Sequence, residues 1–166
     1  LEGLEREFRP VAESKGLALG VHTSSQWLYS DQSLIYRVLQ NLLANAIKYT
    51  GSGRVLLGAR RREEGLEIQV WDTGPGIAEK DQVRVFQEFE RLNRQVQQPE
   101  EGLGLGLAIV QRYAQMLGHP LQLHSTQGEG TLFSLTVTYG QPQTLTSTDA
   151  QDGVSRGLEI ALCRVV

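Results

Sequence analysis

Hydrophobic side chains recur at three- and four-residue steps through residues 31–50, the spacing that keeps one face of an α-helix buried. Asp31 is suited to cap the start of this helix, and Gly51 is suited to stop it. The pattern therefore predicts one long amphipathic helix around which the rest of the chain is organised. Its apolar positions are Leu34, Ile35, Val38, Leu39, Leu42, Leu43, Ala46 and Ile47.

A polar stripe borders the apolar face of this helix. Asn41, Asn45 and Lys48 lie within about 60° of one another when each residue advances about 100° around the helix axis. Asparagine has poor helix propensity, so two of them in mid-helix carry a cost that a solvated surface helix would not need. One asparagine alone would be an ordinary solvated residue. Two asparagines beside a lysine favour a ligand site, in which the stripe supplies neutral oxygen ligands and one cation.

Alternating apolar residues predict two short strands before this helix, at 17–22 and 27–30. Residues 1–15 are helical in character until Pro10 interrupts them. After the central helix the same patterns predict two antiparallel hairpins separated by helices. The hairpin strands are 54–61 with 65–72 and 120–125 with 131–138, and the helices run from Glu79 toward Phe86 and through the stretch 102–118.

This order of elements predicts an α+β fold, a two-layer sandwich with helices on one face of a mixed, mostly antiparallel sheet. The 166 residues and 40% hydrophobic content suit one domain, expected to span residues 1–139. Residues 140–166 are expected to be a polar linker and a strand-like tail.

Charge and composition exclude several classes of protein. The net charge of -3 and pI near 5.6 give no general attraction to nucleic acid or acidic membranes. The single cysteine cannot form an internal disulfide, and no run approaches the ~18 apolar residues of a membrane helix. Leu1 is not a natural start and no signal peptide follows it. We therefore expect a cytoplasmic piece of a longer protein.

Glycines at 102, 104 and 106 directly precede a predicted helix. Exposed backbone amides and a helix N-terminus would favour phosphate there, although a hinge or a tight helix entry explains the glycines equally well. Leu107 stands where a Rossmann fingerprint needs its third glycine, and there is no P-loop motif. A phosphate cradle is thus one of two interpretations.

Asp72 ends a predicted strand and precedes Gly74, Pro75 and Gly76. Its carboxylate could accept a hydrogen bond from an exocyclic amine of a flat ring, or it could simply close a turn. Further along, Phe86 and Phe89 are more typical of core anchors than of ligand contacts. The polar segment 90–101 is the best candidate for a mobile loop.

Four motifs in this order resemble those of the sensor histidine kinases. They are NLLANAIKYT at 41–50, DTGPGI at 72–77, VFQEF at 85–89 and GLGLGLAIV at 102–110. They are similar to the asparagine box, first glycine box, phenylalanine box and second glycine box of that family, whose superfamily includes gyrase and mismatch-repair ATPases. The resemblance covers roughly residues 4–139 and implies a Bergerat-type ATP-binding fold with ATP and Mg²⁺ as cofactors.

The resemblance also implies roles for single residues on the phosphate side. Asn45 would be a side-chain ligand of Mg²⁺, with Asn41 in the same stripe. Lys48 would contact a phosphate, and Tyr49 would lie against the nucleotide. Arg91 would steady the γ-phosphate from an ATP lid at 90–101 and is the candidate catalytic residue. The phosphates would be held by Gly102, Leu103, Gly104, Leu105, Gly106 and Leu107.

On the base side, the resemblance implies that Asp72 reads the adenine amino group. Gly74, Gly76 and Ile77 would shape the base pocket, and Thr131 would lie near the base. These residues would make ATP the preferred nucleotide over GTP.

The reaction implied is transfer of the γ-phosphate to a histidine on a separate dimerisation and acceptor domain, in two-component signalling. ATP-hydrolysing members of the superfamily carry a glutamate at the position of Asn41, and an asparagine cannot act as a base. The three histidines of the chain lie in predicted strands or turns, so the acceptor is expected elsewhere.

The expected partners are therefore the acceptor domain of the same kinase and a downstream response regulator or receiver domain, to which the tail could lead. Nucleic acid and direct membrane contact by this segment are not expected. The domain would work in the cytoplasm, either free or as part of a membrane-bound sensor. Two alternatives stay open: a regulatory ATP-binding module without phosphotransfer, and a protein-serine kinase of the anti-sigma type.

Overall fold

The computed structural model describes residues 1–22, 26–88, 104–139 and 158–160. Three α-helices and seven strands are present in these ranges, together with 3₁₀ turns at Glu79–Asp81 and Arg84–Phe86. The helices are α1 (Glu2–Ser14), α2 (Gln32–Tyr49) and α3 (Gly106–Leu117). The strands are β1 (Ala18–Val21), β2 (Gln26–Leu28), β3 (Arg54–Arg61), β4 (Gly65–Asp72), β5 (Leu121–Thr126), β6 (Gly130–Thr138) and β7 (Leu158–Ile160).

The central helix forms as its apolar period predicts. Asp31 caps α2, because its side chain accepts a hydrogen bond of 2.9 Å from the backbone amide of Leu34. The predicted stop is displaced by one residue. Thr50, in extended backbone conformation, ends the helix, and Gly51 does not adopt a positive φ. Seven of the eight predicted apolar positions are buried, and Leu34 is half-buried.

The main sheet has five strands in the order β1-β3-β4-β6-β5. The β1–β3 pair is parallel and the other pairs are antiparallel, so both predicted hairpins are confirmed. Inward side chains of β4 and β6 alternate with outward ones and share one core with the buried faces of the three helices. The predicted α+β sandwich, with a mixed and mostly antiparallel sheet, is confirmed.

Two local predictions were wrong. Pro10 does not interrupt the first helix, which runs on to Ser14. Leu4, Phe8 and Ala12 form one buried stripe along it, and that packing outweighs the backbone hydrogen bond that proline removes.

The segment from Glu79 to Phe86 is the second wrong prediction, because it forms two 3₁₀ turns instead of an α-helix. Its apolar residues lack helical spacing, and Phe86 packs edge-on against Phe133 with ring centroids 6.2 Å apart. Tertiary packing therefore sets this path.

The strand-like tail contains β7, which pairs antiparallel with β2. Leu28 of β2 also forms a bridge with Tyr139. The predicted linker at 140–155 lies outside the described residues, and the boundary at 139 stays a prediction. None of the helices in the described ranges combines the length and apolar character needed to cross a bilayer.

Ser30 and His119 join the start of α2 to the end of α3. Both residues are buried, and Oγ of Ser30 lies 2.7 Å from Nε2 of His119. Burial disfavours the charged imidazolium and lowers the pKa of His119. The surroundings of this pair therefore favour the neutral form of the His119 imidazole.

This lowered pKa predicts that acid destabilises the domain. Below pH ~6.5, the ordinary histidine pKa, the unfolded chain takes up a proton that the folded chain resists, so stability is complete above that pH and falls below it. His119→Gln keeps a polar partner for Ser30 but does not titrate. We expect the difference in unfolding free energy between wild type and His119→Gln to shrink from pH 7.5 to 5.5 in urea titrations. A difference that stays constant over this range would contradict the prediction.

Candidate nucleotide site

The polar stripe of α2 faces the first turn of α3. A Cβ added to Gly106 would lie 3.3 Å from Oδ1 of Asn41 and 3.5 Å from Nδ2 of Asn45. Asn41 donates its Nδ2 to the carbonyl of Arg37 at 2.8 Å, which commits its amide nitrogen to the helix. The Asn45 amide has no hydrogen-bond partner within the described part of the chain. The two asparagines thus lie directly beside Gly106, where a larger residue would fit tightly against the Asn41 side chain.

The start of α3 has no side-chain cap. Leu105 occupies the cap position, and Gly104 before it has a φ of 73°. Amides of the first turn therefore lack a side-chain acceptor, and the positive end of the helix favours an anion there. Leu107 packs against the core and fixes this turn in place.

Lys48 and Tyr49 form the last turn of α2. Nζ of Lys48 lies 5.2 Å from the centre of the Tyr49 ring, and Tyr49 is 56% exposed. Lys15, which follows α1, donates its Nζ to the carbonyls of Ile47 and Lys48, at 2.9 Å each. This ammonium satisfies the open end of α2 and anchors the turn that carries both residues.

Asp72 is the buried carboxylate of the site. It is 7% exposed, and its Oδ1 accepts a hydrogen bond of 2.8 Å from the backbone amide of Gly74. Burial raises the pKa of Asp72, while the amides of Gly74 and Thr131 and the hydroxyl of Thr50 oppose that shift. The Thr50 oxygen is buried and makes no hydrogen bond of normal geometry among the described residues.

Gly74 connects the two halves of the site. A Cβ there would lie 2.8 Å from Oδ1 of Asp72 and 3.1 Å from Oγ1 of Thr50, the residue that ends α2. Asp72 at the end of β4 and the polar stripe of α2 therefore converge on the same end of α2. This close approach explains why the position carries glycine.

The loop after Asp72 lies directly on the β5–β6 hairpin. Gly76 has a φ of 66°, and a Cβ there would lie 2.0 Å from the carbonyl oxygen of Thr126. The Gly128 amide donates to the Pro75 carbonyl at 2.7 Å. The Ile77 amide donates to Oγ of Ser125 at 2.8 Å. The loop is thus held against the hairpin on both sides of Gly76.

Thr131 stands beside Asp72 in the sheet. The register pairs Asp72 of β4 with Thr131 of β6, and Thr131 with Ser125 of β5. Inward rows farther along these strands are apolar, so this end of the sheet carries one polar row. Our sequence predictions included Asp72 and Thr131 but missed Ser125, Thr50 and Gln82. The only signal for Ser125 was a hydroxyl at an inward position of an alternating strand.

The structure brings together most of the predicted site residues. Asn41, Asn45 and Gly106 meet at one side, and Asp72, Gly74 and Thr131 meet at the other. The predicted positions at Arg91, Gly102 and Leu103 lie outside the described residues, as do Phe89 and the proposed lid.

Comparison with known proteins identifies the family. Residues 30–141 match the sequence profile of the histidine kinase-, DNA gyrase B-, and HSP90-like ATPases. The chain belongs to this ATPase family. Membership of this family makes it an ATP-binding domain. The predicted fold and the predicted relationship to the histidine kinases are both confirmed.

The curated relatives include sensor histidine kinases. YcbM of Bacillus subtilis is 34% identical over 133 residues, which cover 78% of this chain and 43% of that protein. RppB of Synechocystis is 38% identical over 135 residues, which cover 80% of this chain and 30% of that protein. The chain thus spans less than half the length of these relatives.

Solved structures show the same relationship. Full-length ShkA in complex with AMPPNP superposes with a TM-score of 0.69 at 31% identity, over 84% of this chain and 30% of that one. The mycobacterial sensor histidine kinase MprB gives a TM-score of 0.67 at 28% identity, over 84% of this chain and 95% of that one. MprB, like the curated relatives above, is a sensor histidine kinase.

Proposed function

We propose that this domain binds ATP with Mg²⁺ and donates the γ-phosphate to a histidine on a separate acceptor domain. The observation that carries the proposal is the close approach of the polar stripe of α2 to the start of α3. There, amide side chains of Asn41 and Asn45 face the uncapped first turn of α3 across a glycine. Side-chain oxygens on one wall and backbone amides on the other suit a metal-bound phosphate chain.

The residues present fit the two cofactors. Mg²⁺ prefers oxygen ligands and usually binds through few protein groups plus phosphates, so the Asn45 amide oxygen is a suitable ligand. When bound, Mg²⁺ neutralises charge on the phosphate oxygens. Gly104, Leu105, Gly106 and Leu107 would offer amides to the phosphates. Lys48 and Tyr49, at the end of α2, would contact the nucleotide.

Asp72 would bind the base. Its Oδ1 is held by the Gly74 amide, which fixes the carboxylate for a second hydrogen bond from the adenine amino group. Gly74, Gly76 and Ile77 would shape the base pocket, because their backbone lies close to Thr50 and to the β5–β6 hairpin. Thr131 would complete the pocket beside Asp72.

The same site is poorly equipped for hydrolysis. An amide has no basic lone pair to take a proton from water, and the Asn41 nitrogen is already bonded to Arg37. The chain's contribution to transfer would be positioning and charge stabilisation. Arg91 stays a proposed catalytic residue that would steady the γ-phosphate from the lid.

The proposal places this domain in the cytoplasm as part of a longer kinase. Its partners would be the dimerisation and acceptor domain and a response regulator or receiver domain.

Phosphotransfer separates this function from its alternatives. The chain should label the purified acceptor domain of the same kinase from γ-³²P-ATP with Mg²⁺, and the label should be lost in acid and stable in base. A chain that binds ATP but labels nothing would be a regulatory module. Acid-stable label on serine would indicate the anti-sigma type of kinase. Either result would overturn histidine phosphotransfer, and Ala in place of the acceptor histidine is the matched control.

A further inference from the structure

The inward polar row at the end of the sheet contains a residue with no assigned role, Ser125. Its Oγ makes three contacts. It lies 2.8 Å from the Ile77 amide, 2.8 Å from the Gly130 carbonyl and 3.0 Å from Oγ1 of Thr131. A serine hydroxyl has one hydrogen to donate and two lone pairs to accept with.

These contacts fix the direction of every hydrogen bond. The Ile77 amide can only donate, so Ser125 accepts from it. The Gly130 carbonyl can only accept, so Ser125 gives its single hydrogen there. The Thr131 hydroxyl must then donate to Ser125. The Thr131 hydroxyl then has only its lone pairs available for any other partner.

Thr131 can therefore accept a hydrogen bond from a ligand but cannot donate one. Asp72, its neighbour across the strand pair, is also an acceptor when ionised. The two side chains together form a row of acceptors. A base with an amino group at its edge matches this row, whereas a base with a carbonyl there opposes it.

Gln82 holds the arrangement from behind. Its Nε2 donates to the Ile77 carbonyl at 3.1 Å and to the Ser125 carbonyl at 2.9 Å. Both hydrogens of the Gln82 amide are used, and they link Ile77 to Ser125 a second time, in addition to the direct bond between these two residues. The loop bearing Gly76 and Ile77 therefore cannot move away from β5 without breaking these bonds.

We infer that Ser125 is a positioning residue that sets base selectivity by holding the Thr131 hydroxyl as an acceptor. This inference rests on the proposed binding of ATP at the same site. Without Ser125, the Thr131 hydroxyl is free to rotate and donate to a carbonyl. In the wild type, a ligand carbonyl that faces these acceptors stays unpaired, and this cost disfavours its binding. When Thr131 can donate, the carbonyl gains a partner, so selectivity for an amino group over a carbonyl falls.

Affinities for ATP and inosine triphosphate test this, because adenine carries an amino group at position 6 and an acceptor at N1, whereas hypoxanthine carries a carbonyl at position 6 and a donor at N1. Titration calorimetry on the chain with Mg²⁺ should show that Ser125→Ala lowers the ratio of the two affinities on the order of tenfold. Ser125→Thr keeps the hydroxyl and should keep the ratio. Gln122→Ala, on the outward face of the same strand, is the control for non-specific damage to β5.

A double-mutant cycle distinguishes a positioning role from a structural one. In the Thr131→Val background, Ser125→Ala should leave the affinity ratio unchanged, because the hydroxyl that it controls is gone. An equal loss of affinity for both nucleotides, with the ratio preserved, would overturn the inference while leaving ATP binding intact. Failure of the wild-type chain to bind ATP would instead overturn the proposed function and this inference with it.

Discussion

Asp72→Asn should abolish measurable ATP binding and leave the free domain at least as stable as the wild type. The adenine amino group needs an acceptor, and an asparagine whose oxygen keeps the bond from the Gly74 amide would turn its amide nitrogen, a donor, toward the base. The asparagine NH₂ group and the adenine amino group would then face each other as two donors in a buried pocket, and neither would be paired. We therefore expect ATP affinity to fall on the order of 100-fold or more.

Stability should respond in the opposite direction, for an electrostatic reason. The pKa of Asp72 is raised by burial, so the folded chain binds its proton more readily than the unfolded chain does. Ionisation of Asp72 therefore removes stability as the pH rises from the ordinary aspartate pKa of about 3.9 through the raised value. Above that window the wild type carries the full cost, and Asp72→Asn does not.

The asparagine also has suitable neighbours. Its oxygen could keep the bond from the Gly74 amide, and its nitrogen could donate to the neighbouring Thr50 hydroxyl, which makes no other hydrogen bond of normal geometry among the described residues. We therefore do not expect a packing penalty to mask the electrostatic gain.

Calorimetric titration with ATP and urea unfolding at pH 4 and pH 7.5 measure the two effects separately. Asp81→Asn, in the 3₁₀ turn nearby, removes a carboxylate paired with Arg84 at 3.3 Å near the surface and serves as the matched control. It should change neither ATP affinity nor the pH dependence of stability appreciably. If Asp72→Asn bound ATP as the wild type does, Asp72 would not read the base.

Regular elements were predictable because local pattern and tertiary packing agree in them. The apolar period of α2 and the alternation of β3 and β4 each match the face that is buried in the structure. Asp31 was predictable as a cap for the same reason, since its role depends only on residues one turn away.

Predictions failed where a distant partner decides the local conformation. Pro10 is tolerated because Phe8 and Ala12, on either side of it, pack into the core. Gln82 lies in a segment that looked helical, and its amide instead reaches Ser125 of β5, 43 positions away in the chain. A pattern read along one segment carries no information about such a contact.

The candidate site divides in the same way. Asn41 and Asn45 stood out because asparagine is unusual in the middle of a helix, and Asp72 stood out because of the glycines that follow it and the resemblance to the kinase motifs. Ser125 is ordinary for a strand, and Thr50 is ordinary after a helix. Their importance comes from strand register and from the approach of Gly74 to α2, which only the folded chain reveals.

Asn45→Ala should weaken ATP binding on the order of 100-fold in the presence of Mg²⁺, because even groups that only support metal ligands are worth ~10–100-fold. Of the two asparagines, Asn45 is the better ligand. The Asn41 amide nitrogen is committed to the Arg37 carbonyl, whereas the Asn45 amide has no partner within the described ranges and faces the start of α3.

The decisive feature of this prediction is its dependence on the metal. If Asn45 binds ATP through Mg²⁺, the difference between wild type and Asn45→Ala should largely disappear when the metal is chelated with EDTA. Gln32→Ala removes an amide from the exposed first turn of the same helix and should behave as the wild type in both conditions. Thermal unfolding of the free protein should show no loss, since alanine is the better helix former.

Each outcome has a distinct physical meaning. A loss that persists in EDTA would show that Asn45 contacts the nucleotide directly or acts through its packing beside Gly106, and it would contradict the assigned metal ligand. Unchanged binding in Mg²⁺ would remove the reason for two asparagines on this stripe. A loss seen only in the presence of Mg²⁺ would place the metal at Asn45, the asparagine of the stripe whose amide is not hydrogen-bonded to the helix. The phosphates bound to that metal would then lie between α2 and the backbone amides at the start of α3.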